Sequence, residues 1–572
     1  MEPVDGRCGS HGRHYPCVPI RARATSGLLG LPVAVVLLVV WLIAYPHTPD
    51  LAAQVYRAGL FQRLGFALWD EHWYAGHHLP GYSLLFPPLA SLLGVRTVGV
   101  LSVLASVALF ERLVVTLYGP GARWAAVWFA LAAVGDVWIG RLSFALGVPF
   151  ALAAVLGLLR GQLLVAGVFA ALCAAASPVA GLLLALGAVT HTLASRSPRA
   201  LLVLAAPVAV VVVPLALLFP EGGFEPFPVT SFLATVAVVL AFLWALPRDQ
   251  RLLRVGGFVY LFVCVLCLLV HTPMGSNIER YAVLLAGPLL LCAIAAGGRA
   301  AGATWAVAEG GGDAGAGQPR ARARGAGLRA GGTAAVAVAL CVTAVWVLWG
   351  PVRETLAVAG NESTQASYYV PVERFLAHVA PGPAPPVRVE VPLTRSHWEA
   401  ALLAPSVSLA RGWEKQLDTR FDRVLLTPGL TAAAYEGWLH EQAVSYVALP
   451  DTPLDPSSAH EGRLIRGGLP YLREVFASRH WTIYAVLGST PLASGPGRLS
   501  ALGNDSFALR ARSAGRFLVR VHFTRYWTVT SGSACVTRAP KDWTAVNVQA
   551  PGTVVVAARF SLARAFGQGG CG

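Results

Sequence analysis

Repeated apolar runs are the feature of this sequence that most restricts its fold. Runs such as 28–44, 97–117 and 142–159 contain few charged side chains. Each reaches or approaches the roughly 20 residues that an α-helix needs to cross a bilayer. Over 572 residues, 55% are hydrophobic and only 13% are charged. The sequence therefore predicts a polytopic protein of the cell membrane.

The positively charged residues lie between the apolar runs. The net charge is +15, and the basic residues are arginines except for Lys415 and Lys541. Because the arginines stand in short clusters between apolar runs, they act as topology signals. We therefore expect the lipid bilayer as a partner and no nucleic acid.

The arginine clusters predict about 11 spans, with the run 161–194 broken into two short crossings at Ser177-Pro178. The first run, from about 27 to 46, has no cleavage site after it and is interpreted as a retained signal anchor. The predicted parts are a cytoplasmic tail 1–26, a membrane domain 27–297, a cytoplasmic Gly- and Arg-rich linker 298–330 and a last transmembrane helix 331–350.

Beyond the last span the composition changes to that of a soluble region, which this topology places outside the cytoplasm. Short apolar strands such as "VSYVALP" alternate with helical stretches and predict an α/β domain over 351–495. Period-two segments between turns predict a β-sandwich over 496–572. Its two cysteines, Cys535 and Cys571, are expected to form a disulfide in an oxidising compartment.

The first outer loop, 47–95, is the predicted site of chemistry. Asp50 stands just after the first span, and the loop behind it is rich in Trp, His and Gly. A carboxylate there suits proton transfer at the outer surface. The alternative is a helix-capping role, because an acid at a helix start satisfies free backbone donors.

Further candidates lie in the middle of this loop. Asp70 and Glu71 are candidate catalytic acids, although a solvated helix face would look the same. His77, next to His78, carries a weak signal for a divalent metal, so the metal assignment is unknown. Aromatic and histidine side chains that could contact a sugar or acceptor, or form an interfacial belt, are Trp69, Trp73, His77 and Tyr82.

A second informative loop is "HTPMGSNIER", at the start of the tenth span. Asn277 offers an amide, and Arg280 offers a planar fork that fits a phosphate. Arg141, in the loop before the fourth span, is a second candidate for the same role. The alternative for both arginines is snorkelling towards lipid headgroups.

Ionisable residues are nearly absent from the predicted spans, apart from Glu111 and Arg112 near the inner end of the second. A proton- or ion-coupled transporter usually carries such residues near the midplane. The polar groups here collect at the outer face, which favours a reaction at the surface.

The first outer acid, the segment "GYSLLFPPLASLLG" that closes the loop, the number of spans and the outer C-terminal region together resemble the GT-C superfamily of membrane glycosyltransferases. That superfamily includes actinobacterial mannosyl- and arabinofuranosyltransferases. The sandwich end is similar to that of YfhO-type and uncharacterised actinobacterial membrane proteins. There is no Asp-x-Asp pair near Asp50, so a second catalytic acid and a metal stay unassigned.

The resemblance implies a polyprenyl-phosphate-linked sugar as donor and a glycan or lipid of the cell envelope as acceptor. It implies that Asp50 acts as the base and that Arg280 or Arg141 stabilises the leaving phosphate. It implies no certain cofactor beyond a possible divalent metal. The alternative function is a non-catalytic envelope-assembly or transport protein whose outer domain binds a partner.

Overall fold

The computed structural model describes residues 28–308, 330–379 and 385–566, without the side chains of 297–308 and 330–332. The predicted N-terminal tail, most of the predicted linker and Cys571 lie outside these ranges. The predicted fold class is confirmed: apolar helices fill the first part of the chain, and an α/β unit and a β-sandwich follow.

The apolar helices follow the predicted runs closely. Among the described residues, eight are long and apolar enough to cross a membrane, or nine if the first helix and the bent helix after it form one span with an 82° bend; two more are shorter. The chain is therefore a multi-pass membrane protein, while the predicted eleven crossings stay a prediction. The apolar helices are α1 Gly30–Ala44, α4 Val95–Tyr118, α5 Arg123–Ile139, α6 Leu142–Leu159, α7 Leu163–Ala176, α8 Pro178–Ser195, α9 Ala206–Leu218 with a π-helical turn Leu201–Ala205 before it, α10 Val229–Ala245, α11 Arg251–Leu269, α12 Glu279–Ala308 and α13 Ala330–Val358.

Two helices are longer than predicted. Helix α12 continues to Ala308, into the region predicted as a linker, and α13 continues past residue 350 to Val358. Alanine is the strongest helix former and is abundant in the extension of α12, whereas the extension of α13 over 351–358 contains a single alanine.

Glu111, one of two ionisable residues noted within the predicted spans, has a structural role. Its Oε1 accepts a hydrogen bond from Leu29 N at 2.7 Å, and its Oε2 accepts one from Gly30 N at 2.9 Å. The first backbone N–H groups of a helix lack partners within the helix. The buried carboxylate therefore caps α1 from the neighbouring α4.

The predicted break in the run 161–194 is present. Helix α7 ends at Ala176 and α8 starts at Pro178, with Ser177 as its N-cap. The Ser177 side chain accepts from Ala180 N at 3.4 Å. Proline fits the first position of a helix because that N–H has no partner in any case.

The first outer loop folds against the end of the membrane domain. Its elements are α2 Pro49–Leu64, a short antiparallel pair β1 Trp69–Asp70 and β2 His77–His78, and α3 Phe86–Leu93. Helix α3 begins at the Pro-Pro segment, and Leu92 and Leu93 on it are exposed.

The α/β domain contains a five-stranded sheet in the order β4-β3-β5-β7-β6. Strand β3 pairs in parallel with β4 and β5, while β7 pairs antiparallel with β5 and β6. Its strands are β3 Arg388–Glu390, β4 Ser408–Leu409, β5 Val444–Pro450, β6 Leu472–Ala477 and β7 Trp481–Val486; its helices are α14 Ala366–Val379, α15 Glu399–Leu402, α16 Lys415–Phe421, α17 Ala432–Glu441 and α18 Ala459–Arg466.

The β-sandwich consists of two four-stranded sheets, in the orders β13-β14-β11-β8 and β12-β15-β10-β9. Inward residues such as Phe507, Phe517 and Val546 form its core. Cys535 is disulfide-bonded, and its predicted partner Cys571 lies outside the described residues. The elements are β8 Ala493–Ser494, β9 Gly497–Leu502, β10 Ser506–Ala511, β11 Gly515–His522, β12 Trp527–Ser531, β13 Ala534–Arg538, β14 Trp543–Val548, β15 Gly552–Ala558 and a final α19 Leu562–Ala565.

Candidate active site at the outer mouth

Asp50 lies in the first turn of α2, shortly after α1 ends at Ala44. The N-cap of α2 is Thr48, whose side chain donates to Trp138 O at 3.2 Å instead of capping the helix. Asp50 is therefore not the N-cap residue. Its carboxylate is 35% exposed and faces Arg141.

Gly140 is what lets Asp50 approach Arg141. It has φ +101°, and a Cβ at this position would lie 2.3 Å from Leu51 N and 2.9 Å from the carbonyl carbon of Asp50. A side chain would collide with the backbone of α2 in addition to straining the turn. The turn between α5 and α6 therefore requires glycine so that α2 can begin directly against it.

Arg141 connects two carboxylates. Its Nε lies 3.6 Å from Asp50 Oδ2, and its Nη1 lies 3.7 Å from Asp136 Oδ1. Burial acts to lower the pKa of Arg141, but Asp50 and Asp136 outweigh that effect and the pKa is raised. The guanidinium is therefore held in its charged form between the two acids.

Arg280, on α12, lies beside the group formed by Asp50, Asp136 and Arg141. It interacts electrostatically with Arg141, Asp50 and Tyr82, and its Nη2 donates to Asn277 Oδ1. Its guanidinium carbon is 5.3 Å from the centre of the Phe144 ring. The structure thus brings the predicted residues Asp50, Arg141, Asn277 and Arg280 to one place.

The contacts inside this cluster are incomplete. Asp136 Oδ1, Arg141 Nε and Arg280 Nε are buried, and none of them has a hydrogen-bond partner among the described residues. Buried polar atoms normally have partners, and leaving them without one costs free energy. Two guanidinium groups that each have an N–H group without a hydrogen-bond partner are suited to binding an anion such as phosphate.

The wall of the cluster includes an acid that sequence analysis did not select. Glu225, in the loop between α9 and α10, accepts from Ser276 Oγ at 3.0 Å and interacts electrostatically with Asp50 and Arg280. Burial raises its pKa; Lys415, the Ser276 hydrogen bond and Arg280 oppose this rise, whereas Asp50 adds to it. We call the set Asp50, Asp136, Arg141, Glu225 and Arg280 the mouth cluster.

The α/β domain reaches the mouth cluster through α16. Lys415 is within electrostatic range of Glu225. Thr419 Oγ1 donates to Phe224 O at 2.9 Å and accepts from Phe224 N at 3.0 Å. These contacts fix the loop that carries Glu225 against the outer domain. A single sequence offers no signal that α16, almost 200 residues away, would approach this loop.

An apolar cavity of about 370 Å³ begins beside the mouth cluster. Phe144, which packs against Arg280, lines it, and so do Tyr281 and Ala282, which directly follow Arg280 on α12. Its lining extends along α6 from Phe144 to Leu159 and along α8 from Ala180 to His191. The cavity therefore runs from the mouth cluster along most of the length of these two helices.

The middle of the first outer loop lies outside the mouth cluster and does not line the cavity. We call residues 69–78, which include β1 and β2, the loop hairpin. Asp70 accepts from Tyr56 OH at 2.8 Å and from Asn504 Nδ2 at 2.8 Å. Glu71 forms a buried ion pair with Arg388 at 2.5 Å and accepts from Ser408 Oγ at 3.0 Å. Both acids are almost fully buried and join the loop hairpin to the α/β domain and the β-sandwich.

The aromatic residues of the loop hairpin are buried as well. Trp69 belongs to the sandwich core and lies 5.7 Å from Trp527. Trp73 has no exposed surface, stacks on Tyr56 at 4.4 Å and donates to Ala400 O at 3.0 Å. His77 is buried, and its Nδ1 bonds to Asp70 O at 3.1 Å.

These positions give five predicted site residues contacts within the protein. Asp70 and Glu71, predicted as catalytic acids, and Trp69, Trp73 and His77, predicted to contact a sugar or acceptor, are buried against protein groups. Their predicted roles stay predictions, and these contacts favour a packing role.

Tyr82 differs from the loop hairpin because it reaches the mouth cluster. It interacts electrostatically with Arg280, and its hydroxyl accepts from Gln54 Nε2 at 2.5 Å. The guanidinium of Arg57 lies 3.7 Å from its ring centre, and Arg57 pairs with Glu414 at 2.6 Å. Tyr82 therefore lies between α2, the outer domain and the mouth cluster.

Across the described ranges, no group of three or more His, Cys, Asp or Glu side chains is arranged to hold a metal ion. The metal assignment left open by the sequence therefore gains no donor set from these residues.

Comparison with protein-family models and with curated proteins gives no match. Among solved structures, the chain is similar to arabinofuranosyltransferase AftD from mycobacteria, with 17% identity and a TM-score of 0.45 over 93% of this chain and 57% of that one. It is also similar to ArnT from Cupriavidus metallidurans in the apo state, with 14% identity and a TM-score of 0.42 over 79% of this chain and 97% of that one.

The chain thus spans 57% of the length of the AftD structure. Similarity at these identities and TM-scores specifies neither a donor nor an acceptor.

Proposed function

We propose that this chain is a membrane glycosyltransferase that moves a sugar from a polyprenyl-phosphate donor to an acceptor of the cell envelope at the outer face. The observation that carries the proposal is the apolar cavity of about 370 Å³ that begins directly beside Arg280. A polyprenyl phosphate joins a long apolar chain to an anionic group. The cavity fits the chain, and the adjacent guanidinium groups fit the phosphate.

Asp50 is the proposed base. It accepts the proton of the acceptor hydroxyl while that oxygen forms a bond to the anomeric carbon, and the bond from this carbon to the phosphate oxygen breaks. The electron pair of the broken bond leaves with the phosphate. Arg280 and Arg141 stabilise the negative charge on the departing group, and Asn277 orients Arg280 through their hydrogen bond.

The geometry of Asp50 supports this role. Its carboxylate is partly exposed, whereas the other carboxylate paired with Arg141, that of Asp136, is 3% exposed. Of these two acids, Asp50 is therefore the one that an acceptor from the aqueous side can reach. Asp136 serves to hold Arg141 in place.

Photo-crosslinking combined with a transfer assay tests the proposal. Full-length protein in liposomes is given a polyprenyl-phosphate sugar with a radiolabelled sugar and a photoreactive group in the chain, together with envelope extract as acceptor. We expect adducts on α6, α8 or α12, and radiolabel in the acceptor fraction.

The Asp50→Asn variant should keep the adducts and lose transfer, and Asp249→Asn, which changes an exposed acid between α10 and α11, should keep both. Adducts located only outside the cavity, or unchanged transfer by Asp50→Asn, would refute the proposal and favour a non-catalytic assembly or transport protein.

A further inference from the structure

The C-terminal end of the sandwich carries an unusual group of exposed apolar side chains. Beyond residue 358, five large hydrophobic side chains are exposed in the described part of the chain, and three of them lie within seven residues: Phe560, Leu562 and Phe566. Leu562 and Phe566 are 64% and 79% exposed. A soluble surface rarely gathers apolar groups in this way unless they meet a partner. We call these three residues the apolar knob.

The apolar knob is attached to the end of a membrane helix. Ala565, between Leu562 and Phe566, packs in one cluster with Phe219 and Tyr526, and Leu215 and Leu218 of α9 pack against that cluster. Tyr526 OH donates to Leu218 O at 2.9 Å. The knob is therefore held at the level where α9 leaves the apolar part of the membrane.

The neighbouring surface of α9 faces lipid. Val210, Val213 and Leu217 are exposed and follow each other at spacings of three and four residues, which places them on one face. Phe66, in the first outer loop, is 73% exposed, and Leu68, two residues later, packs on the same cluster as Ala565. The apolar knob is thus continuous with a lipid-facing surface and with a second exposed ring.

Arginines lie beside the apolar knob. Arg525 and Arg559 are exposed, Arg564 is partly exposed, and residues 559–566 contain no acid. Arg525 Nη1 donates to Ala565 O at 2.7 Å, which fixes this arginine beside the knob. Aromatic and apolar side chains flanked by arginines are typical of segments that enter the headgroup region of an anionic leaflet.

We infer that the apolar knob is a membrane-surface anchor, which inserts Phe560, Leu562 and Phe566 at the headgroup boundary of an anionic leaflet while the arginines bind its phosphates. The anchor gives the sandwich a second attachment to the membrane, in addition to its protein contacts with α9. It does not depend on the proposed glycosyl transfer or on which face of the membrane the outer domains occupy.

Site-specific photo-crosslinking tests the anchor. Full-length protein with benzoylphenylalanine at position 562 or 566 is reconstituted in liposomes of phosphatidylcholine, with and without phosphatidylglycerol, and irradiated. The matched control position is 487, where the native Leu487 of the α/β domain is 40% exposed. Adducts are identified by mass spectrometry, and thermal melting confirms that each variant is folded.

We expect lipid adducts at 562 and 566 and none at 487, with a several-fold higher yield when phosphatidylglycerol is present. Replacing Arg525 and Arg559 together with serine should remove that difference in yield. Crosslinks to a second copy of the chain, or an absence of lipid adducts at both positions, would overturn the anchor. Equal yields in the two liposomes would overturn its anionic preference.

Discussion

The loop hairpin and the mouth cluster both place charged groups in buried surroundings, yet their contacts differ. In the loop hairpin, Asp70 and Glu71 accept hydrogen bonds from protein groups at 2.5–3.0 Å. In the mouth cluster, the ion pairs of Arg141 span 3.6 and 3.7 Å. Both regions contain buried atoms without partners, including Glu71 Oε2 and Arg280 Nε, so orphan atoms alone do not separate them.

The position of the apolar cavity distinguishes the two regions. Phe144, in contact with Arg280, lines the apolar cavity, whereas none of the residues 69–78 does. A buried ion pair reinforced by short hydrogen bonds is what a domain junction needs. Loosely paired charges beside a cavity remain free to exchange their partners for a ligand. Burial of charge is therefore a poor guide to function unless the spacing of the charges and the space beside them are also known.

Replacing one carboxylate in each region with an amide should give the largest difference between the mouth cluster and the loop hairpin. Asp50→Asn should lower sugar transfer by about 10²–10⁴-fold, the usual contribution of a general base, with little change in melting temperature. Asp70→Asn should lower the melting temperature and leave the transfer rate per folded molecule nearly unchanged, because Asp70 accepts from Tyr56 and Asn504 and contacts no cavity residue. Transfer rate per folded molecule and thermal melting are measured for both.

The comparison fails if both variants lose transfer equally at unchanged stability, since Asp70 would then belong to the chemistry. It also fails if Asp50→Asn transfers sugar at the wild-type rate.

The second effect concerns stability alone. Glu71→Ala removes the partner of the fully buried Arg388 and should lower the free energy of unfolding by about 3–5 kcal/mol, since it leaves a buried charge unpaired. Denaturant unfolding of the detergent-solubilised protein measures this, with Glu354→Ala as control because its partner Arg353 is exposed. A loss of transfer without a loss of stability would contradict a packing role.

The sequence was most informative where local composition decides structure. Apolar runs located the membrane helices, although α12 and α13 extend well past them; the Ser177-Pro178 pair located a break, and alternating residues located the sandwich strands. The same runs placed Asp50, Arg141 and Arg280 at helix ends on one face of the membrane. That explains why residues far apart in the chain could be expected to meet.

The burial of the loop hairpin could not be predicted in this way. The partners of Asp70 and Glu71 include Asn504 and Arg388, which are 434 and 317 residues away. An acidic pair beside tryptophans has the same local appearance whether it lies in an active site or at a domain junction. Glu225 was missed for the same reason, since its importance comes from a loop that packs between Ser276 and α16.

Gly140→Ala tests the geometry of the mouth cluster with an intermediate effect. The new Cβ would lie 2.3 Å from Leu51 N at φ +101°, and the strain should cost about 1–3 kcal/mol. Because the start of α2 must move, transfer should also fall. Gly161→Ala is the matched control, since Gly161 also has a positive φ, +75°, but no atom lies within 4 Å of its Cβ position. Equal losses of transfer in both variants would show that backbone strain, not the position of Asp50, is responsible.

Arg280→Lys should have a smaller effect that is specific to the donor. Lysine keeps the charge but loses the planar fork, so we expect the donor KM to rise by about tenfold, the equivalent of one charged hydrogen bond. Arg248→Lys, an exposed change between α10 and α11, should leave the donor KM unchanged. An unchanged kcat together with an unchanged donor KM would place Arg280 outside the phosphate site.

The smallest effect is expected from Glu225, and it depends on pH. Burial raises the pKa of Glu225, and Asp50 adds to this rise. The carboxyl therefore stays neutral at pH values where an exposed glutamate is already charged. As pH increases through the raised pKa, a negative charge appears beside Arg280 and weakens its attraction for an anionic donor. We expect the donor KM of the wild type to rise a few-fold over that pH range.

Glu225→Gln should remove this rise, because glutamine cannot ionise but can still accept from Ser276. Stability provides an independent check of the sign. A carboxyl whose folded pKa is raised stabilises the fold below its ordinary pKa, and this contribution is lost as pH increases through the raised pKa. The melting temperature of the wild type relative to Glu225→Gln should therefore fall over the same pH range in which the donor KM rises. If the two changes occur at different pH values, another group controls donor binding, and Glu225 only packs against the mouth cluster.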